Sequence, residues 1–163
     1  MNITVVYNLP SQRAKSNPSF LASDEDTQSS AMEVAEALRE KGANATLLAV
    51  DEKTRIQNIK TDCIFNLIEW TGLDLPLAKQ AIDEIEKTGI PFTGATSDFY
   101  CRMADKITHK QDLDSIGVPT PRWQAFATGK EAVRKDFHYP VIVKPAREHC
   151  SIGIGADRIA ENE

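Results

Sequence analysis

Cysteine, long apolar runs and excess positive charge are all scarce in this chain of 163 residues. The three cysteines form an odd number without a CxxC pair, which disfavours a disulfide framework and favours a reducing cytoplasm. No apolar run approaches the roughly 20 residues needed to span a bilayer, and the start lacks the basic and apolar regions of a signal peptide. A formal net charge of −5 gives no general attraction to nucleic acid or to anionic membranes.

The first part of the chain alternates between apolar runs typical of buried strands and spacings typical of amphipathic helices. Residues 10–26, rich in Ser, Asn and Pro, are predicted to form a long loop. Because strands joined by helical crossovers pair in parallel, residues 1–101 are predicted to form a doubly wound, parallel α/β domain. The predicted strands are 2–7, 45–50, 62–67 and 92–94, and the predicted helices are 27–42, 77–85 with Asp74 as N-cap, and a short one within 52–60.

A second region follows, over residues 102–163, and its pattern is that of a thin α+β layer. A hairpin with one or two helices buries little apolar area by itself, so we expect the chain to be the front part of a longer protein. The predicted elements are a helix over 103–116, a strand at 122–127, a helix at 130–137, and a hairpin of strands at 141–144 and 156–159.

The most informative stretch, residues 139–155, reads YPVIVKPAREHCSIGIG. Its β-branched run ends on Lys144, because Pro145 cannot donate to a strand ladder. The polar loop that follows contains glycines, so its backbone N–H groups can point at an anion, and Arg147 adds a second cation. This arrangement predicts a polyphosphate site. The alternative interpretation is a solvated hairpin that carries a surface lysine.

Five short motifs follow one another between residues 90 and 155. They are Ile90-Pro-Phe-Thr-Gly94, Ala104-Asp105-Lys106, Ile116-Gly-Val-Pro-Thr-Pro121, Tyr139-Pro-Val-Ile-Val-Lys-Pro145, and Arg147-Glu148 with Ser151-Ile152-Gly153. Each motif is weak alone, but in this order and at these spacings they resemble the D-alanine–D-alanine ligase family of the ATP-grasp superfamily. The resemblance implies that residues 1–101 are a Rossmann-like domain and that residues 102–163 begin an α+β ATP-grasp domain, of which they form a first, incomplete subdomain.

The same resemblance implies an ATP-dependent ligase that phosphorylates a carboxylate to an acylphosphate, which an amine then attacks. Lys106 and Lys144 match the family's two phosphate-binding lysines, and residues 148–155 match its flexible lid. The family also implies Mg²⁺, with ligands expected beyond Glu163, a small amino-acid-like substrate, and a possible homodimer through the first domain. The implied nucleotide-binding residues are Lys106, Lys144, Glu148, Cys150, Ser151, Ile152 and Gly153.

The chain departs from the family pattern at two places. Cys150 stands where the family has the first serine of its lid motif, and a thiol is a weak donor. We therefore assign no catalytic residue, with Cys150 as a candidate only. The glycine-rich turn after the first strand, with its substrate-contacting glutamate, is replaced by Asn8-Leu9-Pro10. The substrate stays open, and the alternatives are a ligase for another amino acid or peptide, or a non-catalytic nucleotide-binding module.

Overall fold

The computed structural model describes residues 1–149 and 151–162, with the backbone alone for residues 19, 20 and 22–24. The chain divides into two compact units, Met1–Cys101 and Arg102–Glu163. No described helix combines the length and the apolar character needed to cross a bilayer.

The first unit is built on three parallel strands in the order β2-β1-β3. Four helices accompany the sheet along the chain, and this mixed α/β arrangement confirms the predicted fold class. The strands are β1 (Asn2–Asn8), β2 (Asn44–Val50) and β3 (Cys63–Leu67), and the helices are α1 (Gln12–Lys15), α2 (Pro18–Glu40), α3 (Leu75–Lys87) and α4 (Ser97–Ala104).

Apolar side chains cover both faces of this sheet, because successive strand residues point in opposite directions. Val5 belongs to a cluster with Ala31 and Ala35 of α2. Its neighbour Val6 belongs to a second cluster with residues of α3, among them Ile82. All five side chains are fully buried. The predicted helical face around Ala31 and Ala35 is therefore confirmed.

The long loop predicted over residues 10–26 is wrong, because α1 and most of the first half of α2 lie there. Ser11 caps α1, since its Oγ accepts the Ala14 N–H at 2.9 Å. Pro18 opens α2, where the missing proline N–H costs no helical hydrogen bond. Polar residues that favour loops are also the residues that begin helices, and here they do so.

Three smaller predictions for the first unit also need correction. No helix forms within residues 52–60; instead the backbone N–H of buried Ile56 donates to Glu84 Oε2 of α3 at 2.8 Å. The strand predicted at 92–94 is reduced to a parallel bridge between Phe92 and Ile64. Asp74 stands at the N-cap of α3 without capping it, because its carboxylate accepts the Ser11 hydroxyl at 2.8 Å.

The second unit contains α5 (Lys106–Ser115) and a short antiparallel pair, β4 (Val141–Ile142) and β5 (Ile159–Ala160). The continuous helix predicted over 103–116 is wrong, because Asp105 is extended and separates α4 from α5. The hairpin strands are shorter than predicted, and a 3-10 turn occupies residues 156–158.

The strand predicted at 122–127 and the helix predicted at 130–137 do not form. Side chains bind the backbone there instead: Gln124 Nε2 donates to the Ala132 carbonyl at 2.8 Å, and its Oε1 accepts the Arg134 N–H at 2.9 Å. Such local side-chain bonds compete directly with helix and sheet ladders. This segment is therefore ordered by polar contacts rather than by regular structure.

Candidate functional site

Lys106 lies at the start of α5, and two contacts connect it to residues that follow Lys144. Its backbone N–H donates to the Ala146 carbonyl at 2.9 Å, and its Nζ donates to the Glu148 carbonyl. Helix α5 begins here because Asp105 Oδ1 accepts the N–H groups of Ile107 at 2.9 Å and Thr108 at 3.3 Å. The ammonium group is thus held against the segment between the strand and the loop.

Asp105 also binds this segment, through its second carboxylate oxygen. Arg147 Nε donates to Asp105 Oδ2 at 3.1 Å. Partial burial pushes the pKa of Asp105 upwards, but the bonds from Arg147, Thr108 and Ile107 outweigh it and hold that pKa below its usual range. Asp105 is therefore a carboxylate at neutral pH, paired on both oxygens.

Lys144 follows β4, where pairing continues for one more residue because the Val143 N–H donates to the Arg158 carbonyl at 2.8 Å. Its side chain is exposed, whereas Lys106 is partly buried. Burial lowers the pKa of Lys106, and the positive charge of nearby Lys144 lowers it further. The structure therefore brings the two predicted lysines into one electrostatic environment, where an anion would relieve both effects.

Residues 151–155 turn sharply, and backbone hydrogen bonds close the turns. The Ile152 N–H donates to the His149 carbonyl at 2.9 Å, and the Ile154 N–H to the Ser151 carbonyl at 3.0 Å. Gly153 has φ +71°, and a Cβ there would stand 3.1 Å from Pro145 Cγ. A side chain at 153 is thus disfavoured both by conformation and by space. Cys150, the candidate at the family's serine position, lies outside the described residues.

The predicted residues are not all equally close to the lysines. A hydrogen bond joins Lys106 to the Glu148 carbonyl, and the charge of Lys144 acts on the pKa of Lys106. Ser151 and Gly153 are exposed on the turn that follows. Sequence reasoning gave no role to Asp105, although an aspartate directly before a helix is a recognised N-cap signal. What it could not indicate was the bond to Arg147.

The described residues do not fit a magnesium site. Nowhere in residues 1–149 and 151–162 do three His, Cys, Asp or Glu side chains gather to hold a metal ion. The carboxylate beside the lysines, Asp105, is already engaged by Arg147 and by the start of α5. Mg²⁺ therefore stays an expectation of the family resemblance, with ligands expected beyond Glu163.

Comparison with curated proteins gives matches to several D-alanine–D-alanine ligases and to a phosphoribosylamine–glycine ligase, which is 31% identical over 106 residues, 63% of this chain and 25% of that protein. A D-alanine–D-alanine ligase from Marinomonas sp. (strain MWYL1) is 36% identical over 131 residues, which is 74% of this chain and 40% of that protein. One from Pseudomonas entomophila (strain L48) is 34% identical over 125 residues, again 74% of this chain and 38% of the relative. This chain thus spans about 40% of the length of these two relatives. No protein-family model matches it.

Solved structures agree on the fold. The D-alanine–D-alanine ligase from Helicobacter pylori superposes with a TM-score of 0.69 at 16% identity, over 100% of this chain and 59% of that one. The Bacillus anthracis enzyme, solved in complex with ATP, gives 0.62 at 17% identity, over 100% of this chain and 51% of that one. The chain is therefore an α/β protein with the fold of the N-terminal part of these ligases. The resemblance inferred from its motifs is confirmed: it is a relative of the D-alanine–D-alanine ligase family.

Proposed function

We propose that this chain is the nucleotide-binding front part of an ATP-dependent carboxylate–amine ligase of the D-alanine–D-alanine ligase type. The observation that carries the proposal is the pairing of Lys106 and Lys144 in one electrostatic environment, beside a glycine-bearing turn. In this proposal residues 1–101 are the Rossmann-like domain and residues 102–163 the first subdomain of an ATP-grasp domain. The relative solved with ATP supports the choice of nucleotide.

The chemistry proposed for the site is positioning and charge neutralisation. Phosphoryl transfer to a carboxylate requires cations on the polyphosphate, since charge accumulates on its oxygens. Lys106 is suited to this role because it has already lost part of its hydration and is already oriented by the Glu148 carbonyl. Lys144, two residues beyond β4, adds a second ammonium group. The turn at 151–155 would cover the phosphates with backbone N–H groups other than those of Ile152 and Ile154, which close the turn itself.

The substrate-binding side differs from the family pattern, which favours a second candidate: a ligase for another amino acid or peptide. After β1 the chain forms α1 rather than a glycine-rich turn with a glutamate. Asn8 is buried, and its Oδ1 accepts the Glu69 N–H at 2.7 Å. Ser11 is buried against Asp74. The protein itself thus occupies the Asn8 carbonyl oxygen and the Ser11 hydroxyl, whereas the buried Asn8 Nδ2 has no hydrogen-bond partner among the described residues.

The nucleotide assignment is tested by titrating this chain with ATP in a calorimeter. Lys144→Met removes a phosphate–ammonium contact and should weaken ATP binding about tenfold or more, since a hydrogen bond to a charged group contributes about 1.5–3 kcal/mol. Lys130→Met is the matched control, because Lys130 is an exposed lysine of the same unit. If the Lys144 variant and the wild type bind ATP equally, the assignment is refuted.

The ligase assignment is tested in the native protein by phosphate release with Mg-ATP across a panel of D- and L-amino acids. Release that depends on D-alanine supports the dipeptide ligase, and release with another amino acid supports the second candidate. ATP binding without release under any of these conditions would favour a non-catalytic nucleotide-binding module.

A further inference from the structure

Three contacts join the start of α5 to the segment that follows Lys144. Asp105 and Arg147, 42 residues apart in sequence, form the ion pair at 3.1 Å. The Lys106 N–H donates to the Ala146 carbonyl at 2.9 Å, and Lys106 Nζ donates to the Glu148 carbonyl. Of these three contacts, the ion pair is the one made between two side chains, so it depends directly on which residues occupy positions 105 and 147.

Asp105 couples two structural features through its two oxygens. Oδ1 accepts the N–H groups that begin α5, and Oδ2 accepts Arg147. Its side chain is only 20% exposed, whereas that of Arg147 is 68% exposed. The carboxylate is therefore the fixed member of the pair, since it is tied to the helix, and the guanidinium is the member that it holds.

The two lysines need such a restraint. Their like charges repel each other, and partial burial makes the charged form of Lys106 less favourable still. Nothing in that repulsion favours a shared direction for the two ammonium groups. The carboxylates of Glu148 and Asp105 offset part of the effect on Lys106, and the contacts of the segment between Lys144 and Glu148 oppose the rest when no anion is present.

We propose that Asp105 is a positioning residue: by holding Arg147, it keeps residues 146–148 against α5, so that Lys106 and Lys144 face the same polyphosphate before it binds. This inference rests on the proposed nucleotide-binding function. It adds that the Asp105 carboxylate, although it repels phosphate, is required for tight phosphate binding because it holds Arg147 in place.

If only the charge of Asp105 mattered, removing it would change the ATP affinity in the opposite direction. A negative charge close to the polyphosphate opposes binding, so removing it should strengthen ATP binding if Asp105 acts only through its charge. If Asp105 acts by positioning, removing it should weaken binding.

The decisive variant is Asp105→Asn, titrated with ATP at fixed ionic strength. An asparagine oxygen can still cap α5, whereas its NH₂ group cannot accept from Arg147. We expect about two- to fivefold weaker binding, the range given by one partly exposed ion pair. Amide exchange at Ile107 and Thr108 should be unchanged, which separates loss of the pair from loss of the helix start.

Two controls accompany it. Asp136→Asn makes the same charge change in the same unit, on a carboxylate bound by Arg122 and Arg134, and should not weaken ATP binding. In an Arg147→Gln background, Asp105→Asn should no longer weaken binding, because the partner is already absent.

The outcomes separate the two proposals. If the wild type binds ATP but Asp105→Asn binds it equally or more tightly, the positioning role is overturned and the nucleotide assignment stands. If Asp105→Asn weakens binding equally with and without Arg147, the pair is not the cause and the inference is again overturned. If the wild type does not bind ATP, the nucleotide assignment fails and this inference fails with it.

Discussion

The two units of the chain are stabilised in different ways. In the first, both faces of a parallel sheet carry fully buried apolar side chains, with Val5 on one face and Val6 on the other. In the second, none of the described residues is buried, and large apolar side chains such as Ile142 and Ile159 are about half exposed, at 49% and 47%. The first unit depends on apolar burial and the second on hydrogen bonds and ion pairs.

This difference has a consequence for where function can reside. The proposed phosphate-binding residues all belong to the second unit, which has little apolar burial to hold them. Regions with few buried contacts open at low free-energy cost. Local polar contacts, such as the pair formed by Asp105 and Arg147, therefore carry more of the structural precision there than they would inside a packed core.

The largest expected effect comes from the same truncation made in each unit. Ile64→Ala, at a side chain with 0% exposure, should lower the free energy of unfolding of the first unit by about 2–5 kcal/mol. Ile142→Ala should change the free energy of unfolding of the second unit by less than about 0.5 kcal/mol, because that side chain is already half in water. Urea unfolding measures both, followed for the first unit by Trp70 fluorescence in a Trp123→Phe background and for the second unit by the amide resonances of α5. Equal losses would contradict the comparison.

A smaller effect is expected from a buried polar contact within the first unit. Ser11 donates to Asp74 at 2.8 Å and accepts the Ala14 N–H at 2.9 Å, so Ser11→Ala should cost about 1–2 kcal/mol in the same assay. Ser16→Ala is the matched control, since its hydroxyl donates to the Arg13 carbonyl on an exposed surface. If the two variants lose the same stability, burial is not what gives the Ser11 contact its value.

The smallest effect should appear in the second unit, as a pH dependence. Hydrogen bonds from its own backbone N–H and from those of Thr128 and Ala127 lower the pKa of Glu131 to about 2. Because this folded-state pKa is depressed, the stabilisation is fully present above the ordinary glutamate pKa and is lost as the pH falls through about 2.

Amide chemical shifts of Ala127 and Thr128 should therefore titrate with a midpoint at about 2. Glu131→Gln should abolish that titration while leaving the buried amides of the first unit unaffected. A midpoint near the ordinary glutamate value would mean that these bonds do not persist in solution.

The strands of the first unit were predictable because their signal is local and strong. The β-branched run of β1 and the short apolar run of β3 leave few alternatives, and burial then decides the pairing. The start of α2 was not predictable in the same way, since the Ser, Asn and Pro residues that open it are equally typical of loops. The predictions of a strand and a helix within residues 122–137 were wrong for a further reason. The side chains of Gln124 and Glu131 bind backbone groups that a strand or helix would have used.

The candidate site was predictable in part. Motif order indicated Lys106 and Lys144, and the structure brings them close enough for one to shift the pKa of the other. Their role as phosphate ligands stays a prediction. The pair formed by Asp105 and Arg147 was out of reach of local patterns, because a helix cap uses only one carboxylate oxygen and sequence spacing does not indicate what binds the other.

Pro145 influences the site at two points in the chain. It cannot donate to a strand ladder, and the hairpin ladder ends two residues earlier, at Val143. Its ring also lies where a side chain at position 153 would have to stand. A residue larger than glycine at 153 would therefore press on Pro145 and also strain a left-handed backbone, so a smaller residue at 145 would remove only part of the cost.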